Sequence, residues 1–471
     1  MTRVLSALLW FCHHLSGLVY GQEPGIDTIN HYVLGEMTRQ RIPGVSVAVL
    51  RGDRPLLARG YGFSNLELRV PASDSTVYQS GSLGKQFTAA LVVMLSQRGR
   101  FKLDDKIVKW LPEGAGVWDS VSVRHLLTHT SGVTEYTDST FDYRKDYTED
   151  QLVRFAASRS LDFSPGQRWS YSNTGYMLLG VLVHRVTRRF YGNVLRDFIF
   201  SPLGMRSTRI ISEADIVPNR GAGYELNGGR IANQNWVAPS LNTTADGSLY
   251  FTVKDLVKWA QSLNHGHIPD SAALQASWTP VRLNDGGLYP YGFGWNLTPQ
   301  RGHQRIGHTG SWQGFKTAIH RYPEFNLTVI VLANLAQAEP GPIAEGIAGI
   351  LEPVLQPPHR VAKPLTGPRP PLSTDSLLGR ILAGTDTSVV TSGLHHFLST
   401  SARADLGNTV RSINVWKALG CDDVTNRRMV WLSATIERVC YHAGAGGEER
   451  MILSVFYTAQ WRAAHLEISR Y

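Results

Sequence analysis

The sequence predicts a mixed α/β (α+β) protein: one large domain whose sheet is built from its two ends, with helices between, followed by a small α+β domain. Three observations carry this. At 471 residues the chain exceeds a single ordinary core. Strand patterns near residues 45–61 return at 316–335, and the apolar segments between them recur at helical spacing. A stretch punctuated by Pro353, Pro357, Pro358, Pro364, Pro368, Pro370 and Pro371 then separates these patterns from a further set of strands.

The elements follow in order. Met1 to Gln22 combines a lone Arg3, an apolar stretch interrupted by His13-His14, and a small residue at Gly21. This is the layout of an export signal, so residues 1–21 are expected to be a signal peptide and the protein to be periplasmic or extracellular. The stretch is short for a membrane span and Cys12 lacks a lipoprotein cleavage box, so no stable membrane anchor is expected. Residues 22–355 form the large domain. Gly25 to Gln40 has helical spacing, Pro43-Gly44 breaks it, and Val45 to Leu50 reads as a strand paired with Leu56 to Tyr61 across a turn at Gly52-Asp53. A helix beginning at Ser82, with Leu83, Phe87, Leu91, Met94 and Leu95, is apolar nearly all round and belongs in the core. Helical patterns recur at Glu149–Ser158, Met177–Phe190 and Val253–Leu263, and strands return at Lys316–Arg321 and Leu327–Leu335. Residues 356–372 read as a Pro-rich linker. In 373–471, Met429–Tyr441, Met451–Tyr457 and Ala463–Ser469 read as strands, the first two joined by a hairpin at Gly444 to Gly447.

The apolar content of 42%, with 12 Trp, 18 Tyr and 16 Phe, is that of a packed globular protein. The net charge of +9 is scattered, without a basic run or aromatic-interleaved stripe, which argues against a nucleic-acid partner.

The chemistry starts at Tyr78-Gln-Ser-Gly-Ser-Leu-Gly-Lys85. Among the ten lysines only Lys85 has a serine three residues before it. Residues at i and i+3 share a helix face, so the Lys85 amine can lie beside the Ser82 hydroxyl, where the first turn also supplies unpaired N–H groups. A serine beside a lysine is a recognised nucleophile design. It still needs a proton relay and an oxyanion hole. Tyr171 and Asn173 lie two apart in a turn-rich segment just before a helix and can point into one cleft. Tyr191-Gly-Asn193 repeats the spacing at a helix–helix connection and reads as structural. Gly307-His-Thr-Gly-Ser311 leads into a strand, and its small residues let a substrate backbone approach a sheet edge.

Ser82, Lys85, Tyr171, Asn173 and His308-Thr309-Gly310, in that order, resemble the motifs of serine hydrolases of the class C β-lactamase and penicillin-binding-protein superfamily. Relatives there include D-alanyl-D-alanine carboxypeptidases, D-aminopeptidases and family VIII esterases. The resemblance runs from about Gly25 to Leu355 and includes His125-Leu-Leu-Thr-His-Thr-Ser-Gly132, Ser201-Pro-Leu-Gly-Met205 and Tyr291-Gly-Phe-Gly-Trp295. It implies a β-lactamase/transpeptidase-like fold, an antiparallel sheet flanked by helices plus a helical subdomain. It also implies an acyl-enzyme at Ser82, with Lys85 and Tyr171 sharing acid–base work. Asn173 would orient the substrate amide and Lys85, His308, Thr309 and Gly310 would form the substrate-facing edge, and the amides of Ser82 and Ser311 would make the oxyanion hole. No metal or cofactor is required. The partner is a small-molecule or peptide substrate with an ester or amide bond. Lys and Tyr titrate near about 10 in isolation, and both are expected to be shifted down by burial and proximity.

Two departures matter. His308 stands where many β-lactamases carry lysine, and a neutral imidazole attracts a substrate carboxylate less, which puts efficient β-lactam turnover in doubt. Gly84 lowers helix propensity before Lys85 by roughly 1 kcal/mol relative to alanine, or reflects close packing there. Other residues are weighed and set aside. His129 sits in a phrase read as a structural loop, and His265-Gly-His267 with Asp270 reads as a solvent-facing loop without a second ligand cluster. Ser80 replaces the first glycine of a nucleophile elbow, which argues against an α/β-hydrolase. Cys421 and Cys440 either pair as a disulfide, contributing about 3 kcal/mol by chain entropy, or remain buried thiols. The 373–471 segment faintly resembles cone-shaped nuclear-transport-factor-2-like modules. Two functions follow: a secreted serine hydrolase of the esterase, D-amino-acid peptidase or weak β-lactamase type, or a catalytically weak binding protein for a cell-wall or protein partner.

Overall fold

The computed structural model describes residues 25–137, 141–356 and 372–470, the last span without 385, 387, 392–393, 396–397, 399–401, 412, 414, 430–433 and 447–448. The expected signal peptide and nearly all of the expected linker lie outside the described residues.

The chain begins with helix α1 (Ile26–Gln40), then the hairpin β1 (Gly44–Arg51) and β2 (Arg54–Asn65) and the short β3 (Val70–Pro71). A helical region follows, containing α2 (Lys85–Gln97), α3 (Asn173–Thr187) and α4 (Val253–His265). The chain then returns to the sheet as β4 (Ile306–Trp312), β5 (Phe315–Tyr322) and β6 (Leu327–Ala333), and α5 (Pro340–Leu351) follows. The six strands run in the order β4-β5-β6-β1-β2-β3, antiparallel at every pairing. The two ends of the domain meet where β1 pairs with β6, from Val45 opposite Ala333 to Arg51 opposite Leu327.

Period-two alternation divides β1 between two cores. Val45, Val47 and Val49 pack with α1 and α5, while Ala48 and Leu50 face the cluster that contains Phe87 and Leu91 of α2. Both faces of the central strands are therefore covered, which is why β1 and β6 read as continuous apolar runs. Helix α2 buries every residue from Lys85 to Leu95. That burial leaves the amine at its first turn surrounded by protein.

Two helix boundaries differ from expectation. Ser82 lies in a 3₁₀ turn, Gly81–Gly84, and the α-helix starts only at Lys85. Gly81 enters this turn at φ +51°, and Gly84 packs within 3.3 Å of the Gly247 backbone when a Cβ is built on it. Close packing therefore accounts for Gly84. Helix α3 begins at Asn173 rather than Met177, because the Ser172 hydroxyl caps it by accepting from the Gly175 amide at 3.2 Å.

In the C-terminal region, helices α6 (Thr374–Ala383) and α7 (Ala402–Arg411) precede a sheet of β7 (Val415–Met429), β8 (Ala434–Gly446), β9 (Glu449–Tyr457) and β10 (Ala463–Arg470). These strands pair antiparallel in sequence order. The expected Met429–Tyr441 strand spans a strand change: Met429 ends β7 and Ala434 begins β8, the two being cross-strand partners. The long β7 was missed because register shifts between Ala418 and Gly420 and between Asp423 and Arg427 break alternation around its polar Cys421-Asp-Asp-Val-Thr-Asn stretch. Cys421 and Cys440 sit at one register position of β7 and β8 and are bridged as a disulfide.

Candidate active site

The site forms where the 3₁₀ turn bearing Ser82 meets the free edge of the sheet. Backbones touch here, so the contact requires glycine. A Cβ on Gly81 would lie 2.2 Å from the Ser311 nitrogen, and one on Gly310 would lie 2.1 Å from the Ser80 carbonyl oxygen. Gly247 faces the same turn, where an added Cβ would lie 2.5 Å from the Gly81 carbonyl carbon and 3.0 Å from the Ser82 nitrogen. Ser80 itself is structural. Its hydroxyl donates to the Gly247 carbonyl at 2.7 Å, and its carbonyl accepts from Thr317 Oγ1 at 2.7 Å. Ser82 and Ser311 thus both line one small cleft, about 160 Å³, that Asn173, Tyr143 and Trp312 also line. A larger, more open depression of about 680 Å³ is lined by Lys106, His125 and Asn284 and contains none of the motif residues.

Lys85 is fully buried. Its Nζ lies 3.0 Å from Ser82 Oγ and 2.8 Å from Asn173 Oδ1, and it also donates to the Asp246 backbone carbonyl. Three acceptors match the three protons of an ammonium. After losing one, the amine still serves Asn173 and Asp246 and can accept the Ser82 proton. Burial lowers the Lys85 pKa to about 8, against the opposing pull of Asp246 and Glu135. These two carboxylates carry other duties. Glu135 Oε2 accepts the Asn173 amide at 2.5 Å, and Asp246 Oδ2 accepts the Tyr136 hydroxyl at 3.0 Å.

Tyr171 is placed beside this pair, with Lys85 Nζ 4.9 Å from its ring centroid. Its hydroxyl is enclosed and has no partner in hydrogen-bond geometry. Ser82 pulls its pKa down, but burial dominates and raises it well above the ordinary value for tyrosine. The expectation that Lys85 and Tyr171 both shift downwards is therefore corrected. Burial penalises whichever form is charged, so it favours neutral amine and neutral phenol alike. Lys85 is the member of the pair moved towards neutral pH.

His308 lies at the start of the edge but is only 7% exposed. Burial, then the Lys85 charge, lowers its pKa to about 4 despite a hydrogen bond to the Thr309 carbonyl. Thr309 is exposed and Gly310 buried. His129 is buried too and packs against Tyr171, ring centroids 4.2 Å apart and planes tilted by 35°. Among the described residues no group of three or more His, Cys, Asp or Glu is placed to hold a metal ion. His265 ends α4 exposed, paired with Asp53 at 2.8 Å. Tyr191 is buried in a short helix and does not line the cleft. Sequence reasoning missed Glu135 and Asp246, which belong to no motif, and Tyr291, which was legible only as part of its phrase.

This architecture is that of the serine β-lactamase and penicillin-binding-protein superfamily. The chain belongs to the beta-lactamase family, whose profile matches residues 29–349. It is 30% identical over 320 residues to a penicillin-binding protein of Bacillus subtilis (strain 168), covering 64% of this chain and 69% of that protein. It is 27% identical over 330 residues to a D-aminopeptidase of Gluconobacter oxydans (strain 621H), covering 68% of this chain and 61% of the relative. Among solved structures, an octameric penicillin-binding protein homologue from Pyrococcus abyssi superposes with a TM-score of 0.62 at 21% identity, over 95% of this chain and 98% of that one. A D-stereospecific amidohydrolase from Streptomyces sp. gives 0.59 at 25% identity, over 68% and 97%. No helix among the described residues is long and apolar enough to cross a membrane.

Proposed function

We propose that this protein hydrolyses amide or ester bonds through an acyl-enzyme on Ser82, with amides of D-amino-acid-type substrates as the preferred class. The carrying observation is the wholly buried Lys85 amine 3.0 Å from Ser82 Oγ. Neutral Lys85 takes the Ser82 proton as Oγ attacks the carbonyl carbon. The developing oxyanion is received by the Ser82 and Ser311 amides. Tyr171 gives its hydroxyl proton to the leaving group and is reprotonated by Lys85, which returns to the neutral amine. Water then attacks the acyl carbon and gives its proton to this relay, and the relay returns one to Ser82 Oγ as the acid departs. Asn173 holds Lys85 in register. The amide preference is supported by the D-aminopeptidase and amidohydrolase relatives and by His308, which offers no cation to a substrate carboxylate. Export fits the Cys421–Cys440 bridge, which persists in oxidising compartments.

The test compares rates on a D-alanyl anilide, an aryl ester and a chromogenic cephalosporin. The anilide and ester are turned over, the cephalosporin poorly, and Ser82→Ala loses all three. Equal rates in wild type and Ser82→Ala overturn the assignment. Failure of wild type to react with a fluorophosphonate would favour a binding protein instead.

A further inference from the structure

Behind the cleft runs a series of hydrogen bonds whose directions are forced. The Ser172 amide can only donate, and it lies 3.1 Å from His129 Nδ1. A ring nitrogen that accepts carries no proton, so neutral His129 holds its proton on Nε2. That nitrogen is 3.2 Å from the Tyr291 hydroxyl, to which it donates. Starting from the other end, His308 Nδ1 is 2.6 Å from the Thr309 carbonyl oxygen, which can only accept. His308 therefore carries its proton on Nδ1 and presents Nε2 as an acceptor. The Tyr291 hydroxyl, 3.0 Å from it, fills that role as donor. Both ends give one consistent set of tautomers, with no bond lacking a donor or an acceptor. His129, Tyr291 and His308 are 1%, 2% and 7% exposed.

We propose that His129, Tyr291 and His308 are positioning residues, linked in a one-directional hydrogen-bond chain that ties the Tyr171–Asn173 turn to the Thr309–Gly310 edge and commits His308 to Tyr291 rather than to substrate. Ser172, where the chain starts, lies between Tyr171 and Asn173. The Thr309 carbonyl, where it ends, shares a peptide plane with Gly310, which packs on the Ser80 carbonyl beside the nucleophile turn. The charged group bearing on the chain is Lys85, which disfavours a second proton on either histidine. Its aromatic surroundings include Tyr171, Tyr176 and Trp169, all within about a ring's contact of His129. The kinetic consequence rests on the Ser82 reading; the tautomers do not.

The experiment uses full-length protein labelled with nitrogen-15 in its histidine rings, with long-range proton–nitrogen spectra at neutral pH and resonances assigned by His129→Gln and His308→Gln. His129 is expected as the Nε2–H form and His308 as the Nδ1–H form. Tyr291→Phe is expected to disperse the His308 tautomer and to lower kcat about tenfold to a hundredfold with KM changed far less, as for misplaced reacting groups. Either histidine in the opposite tautomer, or doubly protonated, overturns the proposal, as does Tyr291→Phe with unchanged spectra and kcat. If Tyr291→Phe does not fold, the wild-type spectra decide. If the protein proves to have no hydrolytic activity, the spectra still test the chain by themselves.

Discussion

Gly81 meets Ser311 backbone to backbone: a single added Cβ on Gly81 would sit 2.2 Å from the Ser311 nitrogen. The nucleophile turn and the sheet edge are thus held at a spacing no side chain can enter. Gly81 also adopts φ +51°, which an L residue enters at a cost of roughly 1–2 kcal/mol. Gly81→Ala is expected to push the edge away, separate the two amides proposed as oxyanion donors and reduce kcat by about a hundredfold or more. Steady-state kinetics alongside circular dichroism check this. A folded Gly81→Ala protein with wild-type kcat would show that this spacing is unimportant.

As the base proposed for acylation, Lys85 should make the rate rise with pH. With a pKa of about 8 in the folded protein, the amine is mostly protonated at neutral pH and gains basic form as pH rises. The pH profile of kcat/KM should climb to a shoulder near 8, and Lys85→Arg should lose at least about a thousandfold in rate because guanidinium stays protonated. Stability follows the same group. Between 8 and its unfolded value of 10.5, the unfolded chain binds more protons than the native one, so the Lys85 contribution to stability rises with pH across that window. A flat rate profile from pH 7 to 9 would remove Lys85 from the base role.

How much of this site the sequence disclosed depends on how each residue acts. The roles proposed for Ser82, Lys85, Tyr171 and Asn173 fall on side chains at short spacings within each pair, so their types and offsets were readable. The sheet ends were readable because β1 and β6 are buried on both faces. Asp246 was not, since it reaches Lys85 through a backbone carbonyl that any residue could present. Glu135 touches the Asn173 amide across a fold contact with no local signature. The direction of the Tyr171 shift required knowing how enclosed its hydroxyl is, and spacing carries no such information.

The C-terminal sheet contacts the segment that leads into the edge strand, through the Glu467 carboxylate and the Ser454 hydroxyl. Glu467 in β10 accepts the Arg301 amide at 2.7 Å, and His465 Nε2 lies 3.3 Å from it. Arg301 also donates through its guanidinium to Ser454 in β9. The residues from 300 to 305 lead straight into β4 and its His308-Thr309-Gly310 edge. Burial pushes the Glu467 carboxyl up, but His465 and Arg301 outweigh it and hold it below the ordinary value. Its stabilising contribution is therefore full above the usual carboxylate range and fades as pH falls through the lowered value. Glu467→Ala should cost about 3 kcal/mol, as for breaking a buried charged contact. It should also lower kcat/KM on a D-alanyl anilide severalfold. Thermal melts and kinetics at neutral pH test both, and an unchanged kcat/KM would make the C-terminal sheet a passive appendage.

The Cys421–Cys440 bridge links β7 to β8, where polar residues and register shifts leave the pairing poorly specified by side-chain alternation. A cross-link separated by 19 positions removes chain entropy from the unfolded state worth about 3 kcal/mol. Replacing both residues by serine should therefore destabilise the C-terminal sheet by that order. The core of the large domain, packed separately around β1, β6 and α2, should keep its own transition. Because Glu467 of this same sheet holds the Arg301 amide a few residues before β4, the double variant should also weaken turnover at temperatures where the sheet has melted and the larger domain has not. Peptide mapping without reductant should recover the bridged pair, and calorimetry should resolve the early transition. Free thiols in protein from an oxidising compartment, or a single unshifted melt in the double variant, would show that the bridge does not set the stability of the sheet.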